Sequence, residues 1–226
     1  MPFETALRLT EIALTLAVLQ QSIEHYATER HNRGIFLVRA GLCLWLLVGI
    51  GSPASLALLL GTSMLLLYRF QGPYNGGSDK MTLLILSSLT AARIAPGQYA
   101  ELAFAYLGAQ LLLSYFVSGW IKIINPAWRS GEALRDVFRF SAYPVSEGLR
   151  RWADRPRRLC AAGWAVMVLE LAFPLALLHP VALLVALTCT AAFHFSNACF
   201  FGLNRFFWIW LSAYPSLLWL QSRLIG

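Results

Sequence analysis

Long apolar runs, separated by short polar or turn-forming connections, repeat from one end of the chain to the other. A helix needs about 20 predominantly apolar residues to cross a bilayer, and by that yardstick the pattern predicts spans at 5–25, 34–51, 54–70, 79–95, 100–124, 158–178, 181–203 and 205–223. The breaks carry turn chemistry: "GSP" at 51–53, "QGPYNGG" at 71–77, "APG" at 95–97 and His179-Pro180. The first segment differs from the rest. It contains Glu4, Arg8, Glu11, Gln20, Gln21 and Glu24, so it either crosses the bilayer or lies in its interface as an amphipathic helix.

The longest connection, 125–157, opens with Asn125 and Pro126, a capping residue followed by one suited to the first helical position, so a helix is expected to begin there. Trp128, Leu134 and Phe138 then share one face while Arg129, Glu132, Asp136 and Arg139 lie largely elsewhere, which predicts an amphipathic helical loop around 126–152 at the membrane surface. A glycine at 131 would permit close approach to another backbone.

Composition sharpens this picture. With 226 residues, 58% hydrophobic, 13% charged and a mean hydropathy of +0.60, the chain is expected to be a single integral membrane domain over 1–226. The expected fold class is all-α, a polytopic transmembrane helix bundle of about eight spans. Cys43, Cys160, Cys189 and Cys199 lie in or beside apolar segments without C-x-x-C spacing and read as small buried apolar residues. A net charge of +7 would suggest nucleic acid for a soluble protein. Here the basic residues gather in the connections, so the expected partner is membrane lipid and no nucleic acid is expected.

Numbered alternately, the connections put Arg30, Arg33, Arg39, Arg69, Lys80, Lys122 and the arginines between 129 and 158, with Arg205, on one side; only Arg8, Arg93 and Arg223 fall on the other. Because basic residues resist translocation, the Arg-rich connections are expected in the cytoplasm, with the chain a multi-pass protein of the cell membrane.

Four polar positions stand out against the apolar background. Twenty consecutive residues from Leu102 to Ile121 carry no charge, and Lys122 then stands between two isoleucines rather than beyond the run. One reading is a lysine that snorkels to the headgroups; the other is an amine held partly dry, beside the positive end of the helix starting at Pro126, so that it can act as a base. Glu170 falls near the middle of its span, as does His194, with Asn197 one helical turn on. Each alone reads as interhelical polar glue; with Lys122 they form a mixed ionisable set that points to a site. His25 and Glu29 stand one helical turn apart with His31 shortly after, but His31 leaves the face shared by the other two and a solvated helix end is the better reading than a metal site; no metal is expected. In the loop "YRFQGPYNGGSDK", paired glycines allow tight backbone approach, Ser78 can cap the next helix and Asp79 suits its first turn.

Three stretches carry a family resemblance. "YFVSGWIKIINPAWRSGEAL", "HFSNACFFGLNRFFWIWLSAYP" and "NGGSDKM" resemble, in order over about 65–215, segments of the vitamin K-dependent carboxylase and HTTM (horizontally transferred transmembrane) superfamily. The lysine block alone also resembles DoxX-like small membrane proteins; the histidine block adds support for HTTM. The resemblance implies a carboxylase-like or epoxidase-like membrane enzyme, a lyase or oxidoreductase. It would use a reduced quinone (hydroquinone) as lipid-soluble partner to modify a peptide or small molecule. It implies Lys122 as base with His194 beside it, and Asn197, Glu170, Asn75, Asp79, Trp128 and Gly119 as residues that bind or frame substrate and cofactor, with Gly131 in the scaffold. Three departures are visible: no counterpart of the large extramembrane domain that holds the animal carboxylase's protein substrate, one more residue between lysine and tryptophan, and a basic-residue count that puts Lys122 on the cytoplasmic side where the carboxylase works on the luminal one. The alternative is a non-catalytic membrane subunit or DoxX-like accessory protein that docks a protein partner through the 125–157 loop. A transporter is disfavoured by the lack of repeat symmetry.

Overall fold

The computed structural model describes residues 1–28, 33–49, 52–69, 77–141 and 146–225, and among them every regular element is helical. In chain order these are α1 (Phe3–Thr28), α2 (Arg33–Val48), α3 (Ser52–Arg69), α4 (Gly77–Ile94), α5 (Gln98–Ile124), α6 (Pro126–Arg129) and α7 (Glu132–Phe140). A 3-10 segment (Glu147–Asp154) follows, then α8 (Pro156–Ala172) with a 3-10 continuation (Phe173–Leu178), α9 (Pro180–Phe201), α10 (Asn204–Ser212) and α11 (Tyr214–Leu224). Over the described residues each predicted span is helical, although not always as one helix.

Three of these helices are long and apolar enough to cross a membrane: Gln98–Ile124, Pro156–Leu178 and Pro180–Phe201. The remaining predicted spans do not meet both requirements. α2 has 16 residues, about 24 Å at 1.5 Å per residue, short of the about 30 Å hydrocarbon core. The segment predicted as one span at 205–223 is two helices, α10 and α11, which meet at Ala213 through i→i+3 bonds from Ala213 to Trp210 and from Ser216 to Ala213. Pro215 accounts for the break, because its ring cannot sit inside a continuous helix. Pro174 likewise coincides with the change from α8 to its 3-10 continuation.

The chain divides into two compact units, Met1–Ala109 with Trp208–Leu224, and Gln110–Phe207. In the first, the core holds Leu7, Leu14 and Val18 of α1, Leu46 of α2, Leu56 and Leu59 of α3, and Ile85, Leu86 and Leu89 of α4. The rings of Phe3, Phe104 and Trp219 meet with centroids 5.4–5.8 Å apart.

This unit also buries charge. Glu11 accepts from Arg93 at 2.6 and 2.9 Å, from Ser52 at 2.8 Å and from Arg8 at 3.2 Å, while Arg8 also donates to the carbonyls of Leu46 and Leu47 at the end of α2. Glu11 and Arg8 thereby tie α1 to the end of α2, the start of α3 and the end of α4. Arg39, counted from the sequence among the connection charges, is buried in α2 and donates to Ser63, Thr62 and the Leu59 carbonyl of α3. The buried face of α1 is mixed, with Thr10, Glu11, Thr15 and Ser22 beside Leu7, Leu14 and Val18, while Leu9, Leu16 and Ile23, each seven residues apart, are exposed.

In the second unit α6 and α7 replace the single amphipathic helix expected from 126 onward. Gly131, at φ 81°, separates them. Phe138 of α7 packs with Ala153 and Leu159, flanked by Leu134 and Phe201, so the predicted apolar face of the loop is the one that is buried.

Candidate functional site

The site is built on one face of α5. Tyr115, Gly119 and Lys122 stand at i, i+4 and i+7 and therefore point the same way. At Gly119 α5 comes so close to α8 that a Cβ would lie 2.8 Å from the Leu171 amide nitrogen and 3.0 Å from Glu170 Cβ. Only glycine fits. One turn further on, the same approach sets Lys122 against Glu170, with Nζ 2.6 Å from Oε1 and 2.5 Å from Oε2. The Glu170 side chain is 4% exposed and that of Lys122 17%, so an ion pair of short, charge-assisted bonds stands almost out of solvent.

The lysine is also held from the loop side. Asn125 caps α6 by accepting from the Ala127 amide at 2.9 Å, with Pro126 at the first helical position, as its sequence predicts. That start carries Trp128 to where Lys122 Nζ lies 5.4 Å from its ring centroid, a cation–π contact. α6 in turn is fastened to α8: Trp164 Nε1 donates to the Arg129 carbonyl at 3.1 Å, and a Cβ on Gly131 would sit 2.7 Å from Cys160 Cα.

Two turns back along α5, the Tyr115 hydroxyl and His194 Nε2 share a hydrogen bond of 2.8 Å, both groups being buried. Phe173 packs tilted against Tyr115 with ring centroids 4.2 Å apart, and the Phe193 and Phe206 ring centroids lie 5.1 Å from that of the imidazole. Seven residues of helix separate the two polar pairs, about 10 Å along the α5 axis. The result is an aromatic-walled strip with an acid–base pair at each end.

A family model described as HTTM domain matches residues 82–221. The chain belongs to the HTTM family. No curated protein and no solved structure matches it. The matched segment holds every residue of the HTTM strip: Tyr115, Gly119, Lys122, Trp128, Glu170 and His194. Asn197, also inside the HTTM segment, is half-buried one turn beyond His194, and its carbonyl closes the α9 terminus by accepting from Gly202.

Asp79 lies outside the HTTM match, in the first turn of α4, within electrostatic range of Arg39. It belongs to the first unit. Asn75, like Glu29 and His31, falls outside the described residues. His25 stacks on Phe36 with centroids 4.8 Å apart. Tyr115 is the site residue that sequence reasoning missed. Its signal was present, because it shares a helical face with Gly119 and Lys122, but a tyrosine within an apolar run reads as a wall residue.

Proposed function

We propose that this HTTM-family chain is a membrane enzyme of the carboxylase-like class, with Lys122 as its proton acceptor. The observation that carries the reading is the Lys122–Glu170 pair beside the Tyr115–His194 pair on one face. Both charges of the first pair vanish together when one proton moves from Nζ to the Glu170 carboxylate. The amine so formed is the base that takes a weakly acidic proton from a peptide or small-molecule substrate, and that proton ends on Nζ. Dry surroundings suit this chemistry because water would quench a strong base or a carbanion. His194, fixed by Tyr115, orients the substrate.

At its more exposed end the site would hold a reduced quinone: the Lys122 ammonium, 17% exposed, can hydrogen-bond a ring oxygen, and the half-buried Trp128 can pack against the ring. When bound, such a group supplies the oxygen-driven energy for proton removal that the carboxylase resemblance implies.

The test must separate catalysis from packing. Lys122→Ala would strand a buried carboxylate and cost about 3–5 kcal/mol, confusing loss of fold with loss of function. Lys122→Arg keeps a cation against Glu170 but cannot give up its proton. Supplied with a reduced naphthoquinone and oxygen, the detergent-purified wild type should oxidise the quinol, and Lys122→Arg should be slower by roughly 10²–10⁴-fold at unchanged melting temperature. Full activity in Lys122→Arg would make the pair structural and favour a non-catalytic subunit; no oxidation by the wild type would remove the quinol.

The same proposal has all eight apolar segments crossing the bilayer. Its support is the outward apolar face of α1, at Leu9, Leu16 and Ile23, above a buried Glu11, the reverse of a helix meant for water. Arg39, being buried, carries no vote on orientation, but the imbalance of basic residues survives without it. The three arginines on the sparse side are each paired: Arg8 with Glu11, Arg93 with Glu11 and Glu4, and Arg223 with Glu101.

A further inference from the structure

Five arginines, Arg150, Arg151, Arg155, Arg157 and Arg158, stand within nine residues around the start of α8. Arg150 is committed to the fold. It binds the exposed Glu147 carboxylate at 2.6 Å, holding that acid below the usual carboxylate range, and donates to the carbonyls of Ser141 and Arg139. The other four have no carboxylate at ion-pairing distance among the described residues. This contrasts with Arg8, Arg93 and Arg223, which all have one. A cluster of guanidinium groups left uncompensated repels itself unless something negative joins it.

The geometry supplies a place for that charge. Gly148, Arg151, Trp152 and Arg155 line an open cleft of about 320 Å³. The Arg151 guanidinium lies against Gly148: a Cβ there would sit 3.4 Å from its nitrogen, in ordinary van der Waals contact. The Arg155 guanidinium lies 5.2 Å from the Trp152 ring centroid, a cation–π contact that holds it at the cleft. We propose that this cleft binds the phosphate of an anionic phospholipid headgroup.

Two features favour a lipid over a soluble phosphate. The cleft ends where Pro156–Leu178 begins, one of the helices long and apolar enough to enter a membrane, so Arg155 stands at headgroup depth if that helix crosses. Trp152, which lines the cleft, is 38% exposed, and tryptophan settles at the bilayer interface. A free phosphate would engage the guanidinium groups but leave that ring in water.

The inference does not depend on catalysis at Lys122, and its test reads binding rather than turnover. The full chain would be purified in detergent, exposed to equal amounts of phosphatidylglycerol and phosphatidylcholine, and its retained lipid measured by native mass spectrometry. The wild type should retain phosphatidylglycerol in preference. Arg151→Gln with Arg155→Gln should lose about 30-fold of that retention, from about 1 kcal/mol per arginine near an anionic surface, with phosphatidylcholine unaffected. The matching pair of lysine substitutions keeps the charge and should keep most of the binding. If the glutamine variant holds phosphatidylglycerol as the wild type does, the proposal fails and the arginines are left for an acidic protein partner. It fails equally if inorganic phosphate at the same concentration displaces the lipid, which would mark the cleft as a soluble-phosphate site.

Discussion

A methyl group at position 119 would lie 2.8 Å from the Leu171 amide nitrogen and 2.9 Å from its Cγ, so Gly119→Ala must push α5 off α8 rather than displace one flexible side chain. The expected cost is about 1–3 kcal/mol, read as a lower melting temperature of the purified protein. Because Lys122 is one turn away, the same shift should lengthen its contact with Glu170 and reduce quinol oxidation. Gly61→Ala is the control: nothing stands within 4 Å of the added atom in the middle of α3, and the loss of backbone freedom should stabilise by about 0.5–1 kcal/mol. Equal destabilisation by both substitutions would mean that Gly119 is not a special contact. At this scale the sequence revealed residue types but not partners. Lys122, Glu170 and His194 were each legible as polar groups in apolar surroundings. That Lys122 meets Glu170 while His194 meets Tyr115 was not, because the pairing depends on how closely two distant helices approach.

The elements were more legible, since their ends are written in local chemistry. Asn125 and Pro126 start α6 as expected, and His179 with Pro180 starts α9, the imidazole accepting from the Val181 amide at 3.2 Å. Replacing Asn125 by Ala should cost about 1 kcal/mol through the lost cap, whereas Asp at that position should restore it. Gly131→Ala should be worse than either, because φ is 81° and Cys160 Cα would lie 2.7 Å away. Thermal unfolding of the three variants gives the ranking, and Gly131→Ala at wild-type stability would contradict the docking of α6 on α8. Where the sequence reading erred, the error was in continuity. Hydropathy sums over a window and is blind to Pro215, so two helices read as one span; and it is blind to a positive φ, so α6 and α7 read as one amphipathic helix. The carboxyl cluster on Glu11 was hidden for a different reason: its donors come from residues 8, 52 and 93, and no local pattern links them.

Across the molecule apolar side chains lie outside as well as in the core, and several charged groups are buried. Arg39, Glu11, Glu170 and His194 are buried, while Leu37, Trp45, Leu58, Val185 and Phe195 are exposed. Exposed apolar surface of that extent calls for lipid around it. The charge imbalance then makes a sidedness prediction that the second unit can test by itself, because Asp154 and His179 flank the segment Pro156–Leu178 and both are exposed. After the native cysteines are replaced, Asp154→Cys should react with a membrane-impermeant maleimide only from the cytoplasmic face, and His179→Cys only from the opposite one. Reaction of both from the same face would mean that this helix does not cross. Reaction on opposite but reversed faces would leave the crossing intact and overturn the orientation, with Arg157 and Arg158 then lying outside despite the resistance of arginine to translocation.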